Sequence, residues 1–184
     1  MSEAEANLHA AEKVAAILEE FQVEAIVIGA IALAAHRYIR YTEDIDLGVN
    51  TDLATLRKIT DALRVGGFQT ELREPDGADP FSGVIDVTGE FGLVQIVNFG
   101  QTFPAVISDA LKVANLTVKP GSRLRLAPLA HLIVLKLYAG GLKSKADVAE
   151  LLTRNPDADI DRIRELCKSY RIRGLDEIID EISR

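Results

Sequence analysis

The stretch Val23-Glu24-Ala25-Ile26-Val27-Ile28-Gly29-Ala30-Ile31-Ala32-Leu33-Ala34-Ala35-His36 narrows the folds open to this chain. Residues 25–28 are a short apolar run with β-branched members, the pattern of a buried strand, and residues 30–36 are alanine-rich, the pattern of a helix. Gly29 sits at the junction. A glycine permits the sharp turn and lets a ligand approach the backbone at a helix N-terminus, where free N–H groups favour phosphate. The same run, Ala25 to Ala35, is too short to span a bilayer.

Next along the chain come Tyr41-Thr42-Glu43-Asp44-Ile45-Asp46-Leu47-Gly48-Val49. Residues i and i+2 of a strand share a face, so Asp44 and Asp46 point together while Ile45 and Leu47 turn to the apolar side. Two readings are open for the pair. One is a hard-oxygen claw for Mg²⁺, which takes one or two carboxylates and leaves its other positions to water and substrate phosphates. The other is a polar strand edge whose repulsion is screened by solvent.

The order strand, small-residue turn, helix and Asp-x-Asp strand is more specific than any of its parts. Gly29-Ala30 followed by Arg40-x-Thr42-x-Asp44-Ile45-Asp46 resembles the active-site signature of minimal nucleotidyltransferases with the DNA-polymerase-β-like fold. The nearest likeness is to the abortive-infection type, several of which act as toxins of toxin–antitoxin pairs. That type usually has Gly-Gly or Gly-Ser at the turn, from which Ala30 departs. The stretch Leu129 to Gly140, with Lys136 inside it, and then Lys145-Ala146-Asp147, is similar to the later helix of that family and its Lys-Asp pair.

The resemblance spans about residues 23 to 152. It implies an α+β fold: a mixed sheet flanked by helices over residues 1–126, with a helical C-terminal part over 127–184. It implies transfer of a nucleoside monophosphate from an NTP to a hydroxyl of RNA, protein or a small molecule, with Mg²⁺ or Mn²⁺ held by Asp44 and Asp46. Gly29, Ala30, Arg40, Thr42 and Lys136 are then nucleotide-binding, and Asp44, Asp46, Lys136 and Asp147 catalytic. An antitoxin is the partner implied. The alternative is a degenerate nucleotidyltransferase fold that holds nucleotide or a partner without catalysis.

One position speaks for that alternative. The resemblance implies a third acid on a neighbouring strand, which by position is Leu93-Val94-Gln95-Ile96-Val97, and the residue standing there is Gln95. Glutamine carries no charge and takes no proton. Asp86 is the candidate to replace it. If the 84–88 and 93–99 strands turn through Gly89-Glu90, residue 86 pairs with 93 and 84 with 95, placing Asp86 one diagonal from Gln95 on the same face. An exposed strand acid is the competing reading, and a one-residue slip would send Asp86 to the other face.

Lys136 lies among Leu132, Ile133, Leu135 and Leu137, where a lysine is unusual unless paired or reaching out of the core. It is either aimed at a triphosphate or paired with a carboxylate. Asp147 is either a helix-end acid or the partner of Lys136. Arg40 and Thr42 either contact phosphate or a carboxylate, or stabilise the turn. His36 and His131 read as helix-end or packing residues, no zinc pattern is present, and there is no Gly-Lys-Ser/Thr loop for P-loop chemistry.

The periodicity predicts a helix over 4–20 and a helix capped by Asp52 and ending at Gly66-Gly67. It further predicts a strand over 68–72, a short helix over 104–113 and two short strands flanking Pro120-Gly121. A helix opened by Pro128 in its first turn follows, then two or three more with a break at Gly174. Cys167 is alone and the N-terminus lacks a signal-peptide layout, so a cytoplasmic protein without membrane attachment is expected. The net charge of −7 argues against broad nonspecific nucleic-acid binding. It is uneven: residues 1–118 hold 8 basic and 18 acidic side chains, residues 119–184 hold 13 and 10.

Overall fold

Local signals in the chain set where its elements start. In the computed structural model, which describes residues 2–40, 44–78, 80–100 and 103–184, Ser2 and Glu5 close a reciprocal capping box at the head of α1 (Glu3–Glu20). Asp52 caps α3 (Leu53–Val65) by accepting from the Thr55 N–H at 2.8 Å. Between them lie β1 (Ile26–Ile28), α2 (Gly29–Ala35) and β2 (Asp44–Val49); β3 (Gln69–Arg73), β4 (Val84–Gly89) and β5 (Gly92–Asn98) follow. The chain then forms α4 (Pro104–Val113), β6 (Arg125–Leu126), α5 (Leu129–Ala139), α6 (Gly141–Arg154), α7 (Ile160–Ser169) and α8 (Leu175–Ile182).

The strands make one mixed sheet in the order β3-β4-β5-β2-β1-β6. β2 runs antiparallel to β1 and parallel to β5, so the Asp-x-Asp strand occupies the centre. Alternation of side chains gives the sheet two cores. Ile45, Leu47, Ile85, Val87, Val94 and Ile96 are buried with Val14 and Leu18 of α1 and with Leu56, Ile59 and Leu63 of α3. On the other face, Ile26, Val84 and Val97 are buried with residues of α4, α5, α6 and the last two helices. That second cover is partial. Where it stops, the face carries Asp44, Asp46, Gln95 and Asp86, all half-buried, and the exposed Glu71.

The β4–β5 hairpin differs from the sequence expectation by two residues. Gly89 pairs with Gly92, Thr88 with Leu93 and Asp86 with Gln95, so the turn is Glu90-Phe91 rather than Gly89-Glu90. The reason is Phe91. Its ring folds back over Gly89, where a Cβ would meet it at 2.4 Å, and packs edge-on against Phe68, while Gly92 takes the left-handed φ of +98°. The face of Asp86 is unchanged, but it stands directly opposite Gln95 instead of on a diagonal.

Two smaller differences follow from hydrogen bonding. Of the strands expected around Pro120-Gly121, the second is β6, and the first is reduced to a single bridge at Thr117. Pro128 is the extended N-cap of α5 and precedes the first turn instead of occupying it. The break at Gly174 is present: its φ of +99° begins α8. None of the described helices is long and apolar enough to cross a membrane.

His131 is buried on α5, and its Nδ1 lacks a hydrogen-bond partner. Burial pushes its proton affinity down, against the pull of Asp109 and aided by Arg162. The fold therefore holds this imidazole neutral. As pH falls below about 6.5, the unfolded chain takes up a proton that the folded chain resists, and stability is lost. The melting temperature of the wild type is expected to decline between pH 7 and pH 5 more steeply than that of His131→Gln. Parallel curves would contradict the assignment.

Candidate functional site

The site begins at the β1–β2 pairing. Ile28 lies opposite Asp46, so the end of β1, where the chain turns into α2, sits beside that acid. Gly29 has φ +70°, and a Cβ there would stand 1.8 Å from Asp46 Oδ2. The glycine is thus required twice, for its backbone angle and for the space the carboxylate fills. Ala30 follows, buried, at the second position of α2. The first turn of α2 carries no acidic residue and no side-chain cap.

Asp44 and Asp46 share their face, as expected from their spacing, with Ile45 and Leu47 buried on the other side. Burial raises the proton affinity of Asp46 above the ordinary carboxylate range. Lys136 opposes this shift, Asp44 adds to it, and Arg40 and Lys143 oppose it more weakly. A desolvated acid beside a second acid is short of positive charge, and a hard divalent cation would supply it. No group of three His, Cys, Asp or Glu side chains suited to a metal occurs among the described residues. The donor set is two carboxylates, which suits Mg²⁺ or Mn²⁺ completed by water and phosphate oxygens.

A second cluster adjoins the first. Asp147, inside α6 with 3% of its side chain exposed, accepts from Lys136 Nζ at 2.8 Å and from Arg40 Nη1 at 3.2 and 3.3 Å. Of its two sequence readings, the partner of Lys136 is the one present. One buried carboxylate holding two cations leaves a net positive charge near Asp46. Lys143 stands one turn before Asp147 on α6, at the i, i+4 spacing that puts both on one face. Sequence reasoning passed over Lys143, although that spacing was readable.

The third cluster runs along the sheet. Asp46, Gln95, Asp86 and Glu71 are register partners across β2, β5, β4 and β3. Gln95 Nε2 donates to Asp86 Oδ1 at 2.7 Å, and Arg73 Nη2 donates to the same oxygen at 3.1 Å. Asp86 is therefore two strands from Asp46, about 10 Å at ordinary strand spacing, with Gln95 between them. Arg73 was not anticipated, because its role depends on β3–β4 register. Thr42 lies outside the described residues.

The turn that delivers Arg40 is anchored from behind. His36 Nε2 and the Ala127 carbonyl oxygen are 2.8 Å apart, and Asn155 Nδ2 donates to the His36 carbonyl at 2.9 Å. These contacts tie the end of α2 to β6 and α6.

No protein-family profile matches this sequence, and no curated protein matches it. Solved structures do. ANT(2″)-Ia in complex with adenylyl-2″-tobramycin is 14% identical, with a TM-score of 0.53 over 89% of this chain and 95% of that one. The solution structure of the antibiotic-resistance factor ANT(2″)-Ia is 16% identical, with a TM-score of 0.50 over 86% and 88%. At such identities the likeness is one of fold. The chain has a nucleotidyltransferase-like fold, an α+β sheet flanked by helices. The abortive-infection type is not singled out.

The Asp46 shift gives a signed expectation. Because its folded carboxyl holds a proton more tightly than the unfolded one, its contribution to stability is full below the usual carboxylate range and is lost as pH rises through the raised value. Without divalent cation at pH 7, Asp46→Asn is expected to melt higher than the wild type by a few degrees, about 2–4 °C per kcal/mol for a chain of this size. The advantage should disappear toward pH 3. Thermal melts in EDTA across that range check it; a destabilised variant at pH 7 would contradict it.

Proposed function

We propose that this protein is a nucleotidyltransferase, moving a nucleoside monophosphate from an NTP to a hydroxyl acceptor. The observation that carries the reading is the seat of Asp46: a desolvated carboxylate paired with Asp44 and packed on the glycine that turns β1 into α2. Phosphate-compatible cations stand beside it.

In this reading Asp44 and Asp46 hold Mg²⁺ or Mn²⁺. The ion supplies charge neutralisation at the triphosphate and orients it. Gly29 and Ala30 offer uncapped backbone N–H groups to phosphate oxygens. Lys136 and Arg40, held by Asp147, set positive charge where pyrophosphate departs. The acceptor oxygen bonds to the α-phosphorus, the bond from that phosphorus to the β-bridging oxygen breaks, and the hydroxyl proton passes to solvent.

The acceptor is a hydroxyl of RNA, protein or a small molecule. A small molecule is supported by ANT(2″)-Ia, whose complex contains adenylyl-2″-tobramycin. A toxin–antitoxin setting has only the sequence resemblance behind it. Gln95 favours a second reading, a module that binds nucleotide without transferring it.

Transfer separates the two. The protein is incubated with Mg²⁺, each of the four α-labelled NTPs, and short RNA, an aminoglycoside or the protein itself as acceptor. Pyrophosphate release with label retained on one acceptor is expected, falling by at least about 100-fold in Asp44→Ala/Asp46→Ala, the scale of losing a charge-stabilising group. Nucleotide binding with no pyrophosphate release from any acceptor would favour the binding module.

A further inference from the structure

Gln95 stands where the family resemblance implies a third acid, and its surroundings give it a role. It stands beside Asp46 on the neighbouring strand and on the same face of the sheet. On its other side is Asp86, its register partner, bonded to its amide at 2.7 Å. An ionised carboxylate accepts hydrogen bonds and donates none, so the amide group facing Asp86 is the NH₂. The chemistry of the pair thus fixes which end of the amide points where. The amide oxygen is thus the end that Asp86 does not engage, on a residue that shares the sheet face of Asp44 and Asp46.

Asp86 is itself held. Arg73, on the edge strand, donates to the same Oδ1 at 3.1 Å, and the Asp86 side chain is 23% exposed. A carboxylate engaged by an amide and a guanidinium, two strands from Asp46, is poorly placed to share a cation with it. The same engagement suits it to orient Gln95.

We propose that Gln95 presents its amide oxygen as a neutral third ligand to the cation held by Asp44 and Asp46, and that Asp86 is a positioning residue that fixes the amide in that orientation. Amide oxygens are ordinary hard ligands for such cations. The inference rests on the nucleotidyltransferase reading of the site. It has a chemical consequence: the third position contributes coordination without charge and without a proton acceptor. The claw then carries two negative charges and not three.

The test measures Mn²⁺ binding to the full chain by electron paramagnetic resonance, without nucleotide, so that no turnover is needed. The wild type is expected to bind Mn²⁺, and Asp44→Ala/Asp46→Ala to lose it; failure here overturns the metal reading itself, and the inference with it. If the wild type binds, Gln95→Ala and Asp86→Ala are each expected to weaken binding by about fivefold to tenfold, the scale of contacting groups acting through one another. The double variant should be no weaker than the weaker single.

Rescue distinguishes positioning from structure. Gln95→Glu brings two equivalent oxygens that need no orienting, so Gln95→Glu/Asp86→Ala should bind at least as tightly as the wild type. Single variants that bind like the wild type, or losses that multiply in the double variant, would overturn the proposal. So would weakened binding in Asp86→Ala while Gln95→Ala binds like the wild type, which would make Asp86 the ligand. Should the alanine variants not fold, the wild type still answers. Mg²⁺ is expected to shift the Gln95 side-chain NH₂ cross-peak saturably, and an unmoved cross-peak at saturating Mg²⁺ would overturn the assignment.

Discussion

The carboxylate of Asp46 lying where a side chain at residue 29 would be is the contact on which the rest of this site is arranged. It joins the end of β1, the start of α2 and the centre of the sheet in a single packing decision. Any residue but glycine would force the carboxylate aside, and an apolar residue at position 46 would leave the turn without its polar neighbour. The cost is desolvation of that carboxylate, since burial raises the proton affinity of Asp46. Proteins tolerate such local instability at sites where a ligand later offsets it.

Around that acid, charge is distributed in two directions. Toward the C-terminal helices stand Lys136 and Arg40, drawn together by the buried Asp147 although they come from separate parts of the chain. A buried carboxylate with two cations is well compensated, and removing it would leave two positive groups to repel each other. Toward β4 and β3 the row is Gln95, Asp86 and Arg73, also polar and also internally satisfied. The helical part of the chain is therefore integral to the site: α6 supplies the residue that aligns the cations. His36 and Asn155 secure the same junction from the opposite end of α2.

Much of this was legible because it is local. The Asp44/Asp46 face follows from strand alternation, the turn at Gly29 from a strand abutting an alanine-rich helix, and the Asp52 and Gly174 boundaries from capping chemistry. What the sequence withheld is register. The hairpin turn moved by one residue, and its pairing register by two, because Phe91 found a partner in Phe68, more than twenty positions away, which no local pattern encodes. Arg73 escaped notice for the same reason: its contact with Asp86 exists only once β3 and β4 are aligned. The pairing of Lys136 with Asp147 was one of two open readings, and only the packing of α5 on α6 selects it. Lys143 was simply overlooked, at a spacing that was available.

The central claim is that Asp44 and Asp46 make a working metal–triphosphate site. Calorimetric titration of ATP, GTP, CTP and UTP into the wild type and into Asp44→Ala/Asp46→Ala, each with Mg²⁺ and with EDTA, tests it most directly. The result expected is binding of at least one nucleotide that requires Mg²⁺ and is lost in the variant while the variant stays folded. Absence of binding to well-folded wild type, or equal binding by the variant, would contradict it.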